Sequence, residues 1–182
     1  MKKLDKTMFI RNSKEFLDEL HAMPIHPPAL IHLKPAPAGD WYDRLHLANL
    51  ESIYNLPQGI LKHMIDIESG GNPLAHSNKG AKGLFQIMDK KHSGFTGDPF
   101  NPIEAAKYAA KTLNDLAHHF GNYKEAVAAY DWGIGNITTH GLENAPEETK
   151  NYIKKFEQHG TNLGNVMHSV NDVHTFERKH KI

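Results

Sequence analysis

Glu68 stands where a core residue belongs. The segment from Pro57 to Glu68 has its apolar residues at Ile60, Leu61, Met64 and Ile65, and residues three and four apart share one face of a helix. The spacings 60, 64, 68 and 61, 64, 68 put the Glu68 carboxyl on that apolar stripe. Burial disfavours the charged form of a carboxylic acid, and the carbonyl end of a helix disfavours it again. A carboxyl so placed holds its proton near neutral pH and can hand it to a leaving oxygen. That transfer is the step that opens a glycosidic bond. The plain alternative is a paired or solvated carboxylate at a helix end. Residues 69–83, SGGNPLAHSNKGAKG, follow directly; this Gly/Asn/Ser-rich run is loop or hairpin material and keeps the position near a surface cleft.

Other reactive side chains point less clearly. The 14 histidines include no HExxH pair, the spacing that places two imidazoles on one helix face for zinc. His118 and His119 are adjacent and diverge on a helix, and His168, His174 and His180 lie in a weakly patterned tail. No metal and no cofactor is expected. There is no cysteine, so disulfides and thiolate metal sites are excluded. Lys plus Arg and Asp plus Glu both total 21, a formal net charge of zero, which gives no electrostatic reason to expect nucleic acid as a partner. No stretch approaches the roughly 20 apolar residues of a membrane span. Trp132 and Phe95 have faces suited to stacking on sugar rings, with core packing the equal alternative.

The elements that must position Glu68 are mostly helices. Residues 1–22 hold one short amphipathic candidate, with Asn12 and Glu15 at capping-box spacing. Residues 23–39 contain five prolines, each of which removes an amide donor and biases its predecessor away from helix. They form an extended linker or a strap on the domain surface. Asp40 can cap a helix running to about Ser52, and Pro57 suits the first turn of the next. GLFQIM, from Gly83, is short, apolar and compatible with an extended stretch. Asn101-Pro102-Ile103-Glu104 combines a cap, a first-turn proline and a capping-box glutamate. The helix it opens stops at Gly121, and Asn122 with Glu125 opens another through Val127 and Tyr130. Pro146 starts the last helix, with Tyr152, Ile153 and Phe156 apolar. The class is mainly α with a small β element.

The run IESGGNPLAHSNKGAKGLFQIM resembles the soluble lytic transglycosylase family. Glu68-Ser69 matches its catalytic Glu-Ser pair, and Gly83-Leu84-Phe85-Gln86 its Gly-Leu-Met-Gln motif. Ala129-Tyr130-Asp131-Trp132-Gly133 is similar to Ala-Tyr-Asn-x-Gly, and Glu148-Thr149-Lys150-Asn151-Tyr152 to Glu-Thr-x-x-Tyr. The four occur in family order within about residues 40–158. The resemblance implies a lysozyme-like α+β fold: a helical, goose-lysozyme-like domain with a small β-hairpin beside the substrate groove. It implies a peptidoglycan lytic transglycosylase that cleaves between N-acetylmuramic acid and N-acetylglucosamine and leaves a 1,6-anhydromuramic end. Glu68 would be the acid and then the base. Ser69 would steady the glutamate or the substrate, Gln86 and the backbone at Gly83 would line the groove, and Tyr130 and Tyr152 would hydrogen-bond or pack near Glu68. Trp132 would join the substrate-binding set. Each has a plainer reading: Ser69 as a helix-end residue, Tyr130 and Tyr152 as core, Gly83 as a turn.

Two departures bear on the reaction. Phe85 replaces Met, an apolar exchange in a groove wall. Asp131 replaces Asn, turning a neutral group into a carboxylate. It either accepts a bond from a sugar, as Asn would, or serves as a second carboxylate that activates water. Asp89 is the other candidate for that task, because GLFQIMDKK is similar to a goose-type lysozyme motif apart from one extra residue. Either aspartate would make the enzyme a muramidase, that is, a hydrolase. A third class, an inactive peptidoglycan-binding or structural module, is opposed by the intact Glu68-Ser69 pair.

Three parts follow: residues 1–39 as helix and strap or linker, 40–158 as catalytic domain and 159–182 as tail. The partner would be the glycan strands of peptidoglycan, met by a monomer. The first residues, MKKLDKTMFIRNSKEF, lack a signal-peptide core, although the substrate lies outside the cytoplasmic membrane. The expectation is therefore a phage enzyme, released as an endolysin by a holin or carried on the virion, with a specialised secretion system as the other route.

Overall fold

The computed structural model describes residues 34–88 and 94–166. By its internal contacts the chain divides into two units, one up to Lys111 and one from Thr112 onward.

The first unit carries three short helices. α1 is Ala38–Arg44, α2 is Leu47–Ile53 and α3 is Ile60–Ser69. The single helix expected from Asp40 to Ser52 is broken, because His46 takes a left-handed backbone (φ 48°) between α1 and α2. The helix expected from Pro57 begins three residues later. Pro57 instead accepts the Ile60 amide in a turn (3.2 Å). Ile60, Leu61, Met64 and Ile65 of α3 are buried, as the apolar stripe requires. α3 packs against both α1 and α2.

The residues after α3 fold back through turns. The β element is reduced to isolated antiparallel bridges, His76 with Lys82 and Lys82 with Ile87. GLFQIM is a turn and not an extended strand. Gly83 (φ +73°) and Gln86 (φ +47°) both take left-handed backbones, which reverse the chain. Leu84, Phe85 and Ile87 are fully buried by this reversal.

α4, Pro102–Phe120, is the long helix. Asn101 caps it: its Oδ1 accepts the Ile103 amide at 3.1 Å, and its Nδ2 donates to Glu104 Oε1 at 2.9 Å. This reciprocal capping satisfies orphan groups at the helix start.

The second unit holds α5 (Tyr123–Trp132), α6 (Ile134–His140), a 3₁₀ turn (Leu142–Asn144) and α7 (Glu147–Gln158). α5 packs against α6 and α7. α6 carries no strong sequence pattern. It begins directly after Gly133 and buries only Ile137. The start of α5 is closed from two sides. Asn122 Oδ1 accepts the Glu125 amide at 2.8 Å. Residues 163–166 then return antiparallel, so that the Tyr123 and Lys124 amides donate to Gly164 and Leu163 carbonyls at 3.0 and 3.1 Å. Three of the four amides that a helix start leaves orphaned are thereby met. Asn122→Ala should cost about 0.5–2 kcal/mol of stability, read as a lower denaturation midpoint at unchanged m-value.

Candidate functional site

Glu68 is the penultimate residue of α3 and is half-buried. Ser69 closes the helix, and its hydroxyl donates to the Ile65 carbonyl at 3.1 Å. Gly70 and Gly71 follow, both with left-handed backbones. At Gly71 that backbone is matched by a close approach. A Cβ there would run into the Ala36 carbonyl oxygen. The Gly71 carbonyl in turn accepts two hydrogen bonds, from the Ala36 amide at 3.1 Å and from Trp41 Nε1 at 2.8 Å. The last residues of the proline-rich stretch thus lie against the turn that ends the Glu68 helix.

The other end of α3 is held by a buried carboxylate. Glu51, on α2, is 2 % exposed. Its Oε2 accepts the Gly59 amide and the Tyr42 hydroxyl, each at 2.8 Å, and its Oε1 accepts the Leu61 amide at 2.9 Å. α3 has no side-chain cap of its own at Gly59, so Glu51 supplies one from a neighbouring helix. Burial pushes the Glu51 carboxyl above its ordinary range, against the downward pull of these three bonds. A group shifted this way contributes most to stability below its ordinary pKa, and that contribution fades as pH rises through the raised value. The Tyr42 hydroxyl is pushed up to about 12, first by burial and then by its bond to Glu51 and that group's charge. It therefore remains a donor at any physiological pH.

The Gly83–Gln86 turn is stapled internally. The Gly83 amide donates to the Ala75 carbonyl at 2.9 Å. Gln86 Nε2 donates to the Gly83 carbonyl at 3.0 Å and to that of Ala75 at 3.5 Å. Gln86, expected to line the groove, thus uses its amide nitrogen to hold the loop, and Oε1 is its other polar atom. Phe85, expected in a groove wall, is completely buried and serves the core. Phe95 rests on the Tyr108 ring, centroids 4.9 Å apart. Asp89 lies outside the described residues, as do His168, His174 and His180.

In the second unit Tyr130 and Tyr152 are both buried, at 4 % and 7 % exposure, and Tyr152 packs edge-on against Phe156. Asp131 is half-buried at the end of α5, and its Oδ2 accepts the Thr149 hydroxyl at 2.7 Å. That bond ties α5 to α7 through two of the motifs singled out in the sequence. Trp132 is half-buried beside His140, ring centroids 5.8 Å apart. Among the described residues, no group of three or more His, Asp or Glu is placed to hold a metal ion, and no helix is long and apolar enough to cross a membrane.

Sequence reasoning missed Glu51 and Trp41. The signal for Glu51 was the one that exposed Glu68: it lies four residues after Leu47, on the buried face of its helix.

Known proteins bear on this arrangement. The chain is 35% identical over 91 residues to Protein IpgF of Shigella sonnei, covering 44% of this chain and 60% of that protein. It is 28% identical over 117 residues to the Transglycosylase of Enterobacteria phage PRD1, covering 63% and 41% of the two chains. Its fold is similar to that of the 70 kDa soluble lytic transglycosylase of Escherichia coli, with a TM-score of 0.56 and 25% identity over 63% of this chain and 22% of that one. The chain therefore spans less than two thirds of the length of each of these relatives. Residues 47–153 match the family described as the Transglycosylase SLT domain, a span that holds Glu68, the Gly83–Gln86 turn and the Asp131–Thr149 pair, and the chain belongs to that family.

Proposed function

We propose that this protein is a peptidoglycan lytic transglycosylase, with residues 40–158 as its catalytic domain and Glu68 as its single acid and base. The observation that carries the reading is the Glu68-Ser69 pair, half-buried at the carbonyl end of α3 inside the SLT-matched segment. A carboxyl at that end of a helix is favoured in its neutral form, which an acid needs.

Glu68 donates its proton to the oxygen that bridges N-acetylmuramic acid and N-acetylglucosamine. The bond from C1 to that oxygen breaks, and its electron pair leaves with the oxygen as a hydroxyl. The cation-like centre at C1 is steadied by the sugar's own N-acetyl carbonyl. Glu68, now a carboxylate, takes the proton of the C6 hydroxyl as that oxygen bonds to C1. The product is a 1,6-anhydro ring, and Glu68 ends protonated, as it began. No water is consumed and no cofactor is required. Ser69, the backbone at Gly83 and Gln86 serve the glycan strand, and Trp132, Tyr130 and Tyr152 enter the proposal through the family motifs alone. The likeness to a phage transglycosylase supports a phage lysis or virion-associated enzyme that acts on the wall.

The transglycosylase and muramidase products differ by one water, so mass spectrometry of digested peptidoglycan decides between them. Anhydromuramic ends are expected. Reducing muramic ends would show a hydrolase. Asp131 gives a second measurement. Its Oδ2 is engaged by Thr149, a task that Asn performs equally well through its carbonyl oxygen. Asp131→Asn should keep activity within about threefold. A loss of about 10²-fold or more, the scale of general-base catalysis, would assign it to water activation.

A further inference from the structure

The residues around Glu51 and Gly71 join three elements. α3 is ten residues long, or about 15 Å at the rise of an α-helix. Both of its ends are held by α1, through neighbouring residues. Trp41 donates to the Gly71 carbonyl just past the C-terminal end. Tyr42 donates to Glu51, whose two oxygens take the Gly59 and Leu61 amides at the N-terminal end. Ala36 adds a backbone bond to Gly71. α1 and Ala36 precede residue 47, where the SLT match begins.

We propose that α1 and Glu51 form a brace that fixes both ends of α3 and thereby the position of Glu68, making Trp41, Tyr42 and Glu51 positioning residues for the reaction. This rests on the reading of Glu68 as the acid and base. A buried carboxylate is a costly way to stabilise a helix, since an apolar side chain of similar volume often serves as well. What Glu51 supplies that an apolar residue cannot is direction. Its acceptors fix the axial and rotational setting of α3 at Gly59 and Leu61. Trp41 fixes the chain again three residues after Glu68. A proton must pass to an oxygen over hydrogen-bond distance, and a displacement of about 1 Å costs on the order of 10²-fold in rate.

The test is steady-state cleavage of a soluble peptidoglycan oligomer by the full chain, with kcat and KM resolved separately. Glu51→Gln should lower kcat by about 10–100-fold while KM stays within about twofold. Tyr42→Phe deletes one hydrogen bond from an unchanged ring, and Trp41→Phe deletes one together with part of a buried ring; each should lower kcat by about 3–10-fold on the same reasoning. They carry the test should Glu51→Gln fail to fold. Leu163→Ala, a buried change in the second unit, supplies a variant of reduced stability whose kcat should stay within about twofold. A folded Glu51→Gln or Trp41→Phe with the unaltered kcat, beside an inactive Glu68→Gln, overturns the brace alone. An active Glu68→Gln overturns the assignment of the acid itself.

Discussion

Glu68→Gln should leave the fold intact and reduce peptidoglycan cleavage by about 10²–10⁴-fold or more, the range lost when a positioned acid and base is removed. Glutamine matches glutamate in shape and keeps an acceptor oxygen, so the half-buried site at the end of α3 has no new void to fill. It cannot release a proton to a glycosidic oxygen or recover one from a C6 hydroxyl. In the proposed reaction both halves fail together, because one group serves both. Binding is a different matter. In the proposed reaction the Glu68 proton serves cleavage and not retention of the strand, so the variant should still hold peptidoglycan in a sedimentation assay. Wild-type clearing of cell-wall material by Glu68→Gln would remove the enzymatic reading at its root.

Gly83→Ala should be, with Gly71→Ala, among the most damaging single methyls in the first unit. The cost has two sources that add. An alanine at φ +73° occupies a left-handed backbone, at about 1–2 kcal/mol. Its Cβ would also collide with the Pro99 carbonyl oxygen, with the Phe100 amide nitrogen close behind. Backbone atoms cannot swing aside as a side-chain tip can, so the 98–100 segment or the turn must move. A total of about 2–4 kcal/mol is expected, within the range of severe substitutions, read as a lower midpoint in denaturant. The Gln86 staple on the Gly83 carbonyl would be disturbed as well, so activity should fall further than stability alone explains. A midpoint unchanged by the methyl would show that the approach of Pro99 is not required.

Much of the helical order was legible because local chemistry wrote it. Asn101 with Glu104, and Asn122 with Glu125, announced two helix starts that the structure reproduces, each Asn Oδ1 accepting the Glu amide, while each Glu carboxylate takes the Asn side-chain amide in place of the backbone one. Pro146 likewise stands immediately before α7. The mainly α, lysozyme-like class followed from the same periodicity and from the family motifs. What stayed hidden was set by distant partners. The break at His46 and the turn after Pro57 serve Glu51, whose oxygens must reach Tyr42 on one side and α3 on the other. Gly83 to Gln86 read as an apolar run compatible with a strand. Its reversal depends on two left-handed residues, one of them a glutamine, which sequence rarely advertises. α6 buries a single side chain, too few for periodicity to detect. At the site, Glu68 was found because a charge interrupted an apolar stripe. Glu51 interrupts one in the same way but lacks a familiar motif beside it.

The return of residues 163–166 along the start of α5 carries a practical consequence for anyone wishing to graft this activity onto another protein. The family match runs from residue 47 to residue 153, yet hydrogen-bonded and buried chain reaches Val166 on one side and Ala36 on the other. A transplant cut at the bounds of the family match would strip acceptors from two amides of α5 and both donors from Gly71. A portable piece must therefore hold at least residues 36 to 166, wider on both sides than the family match.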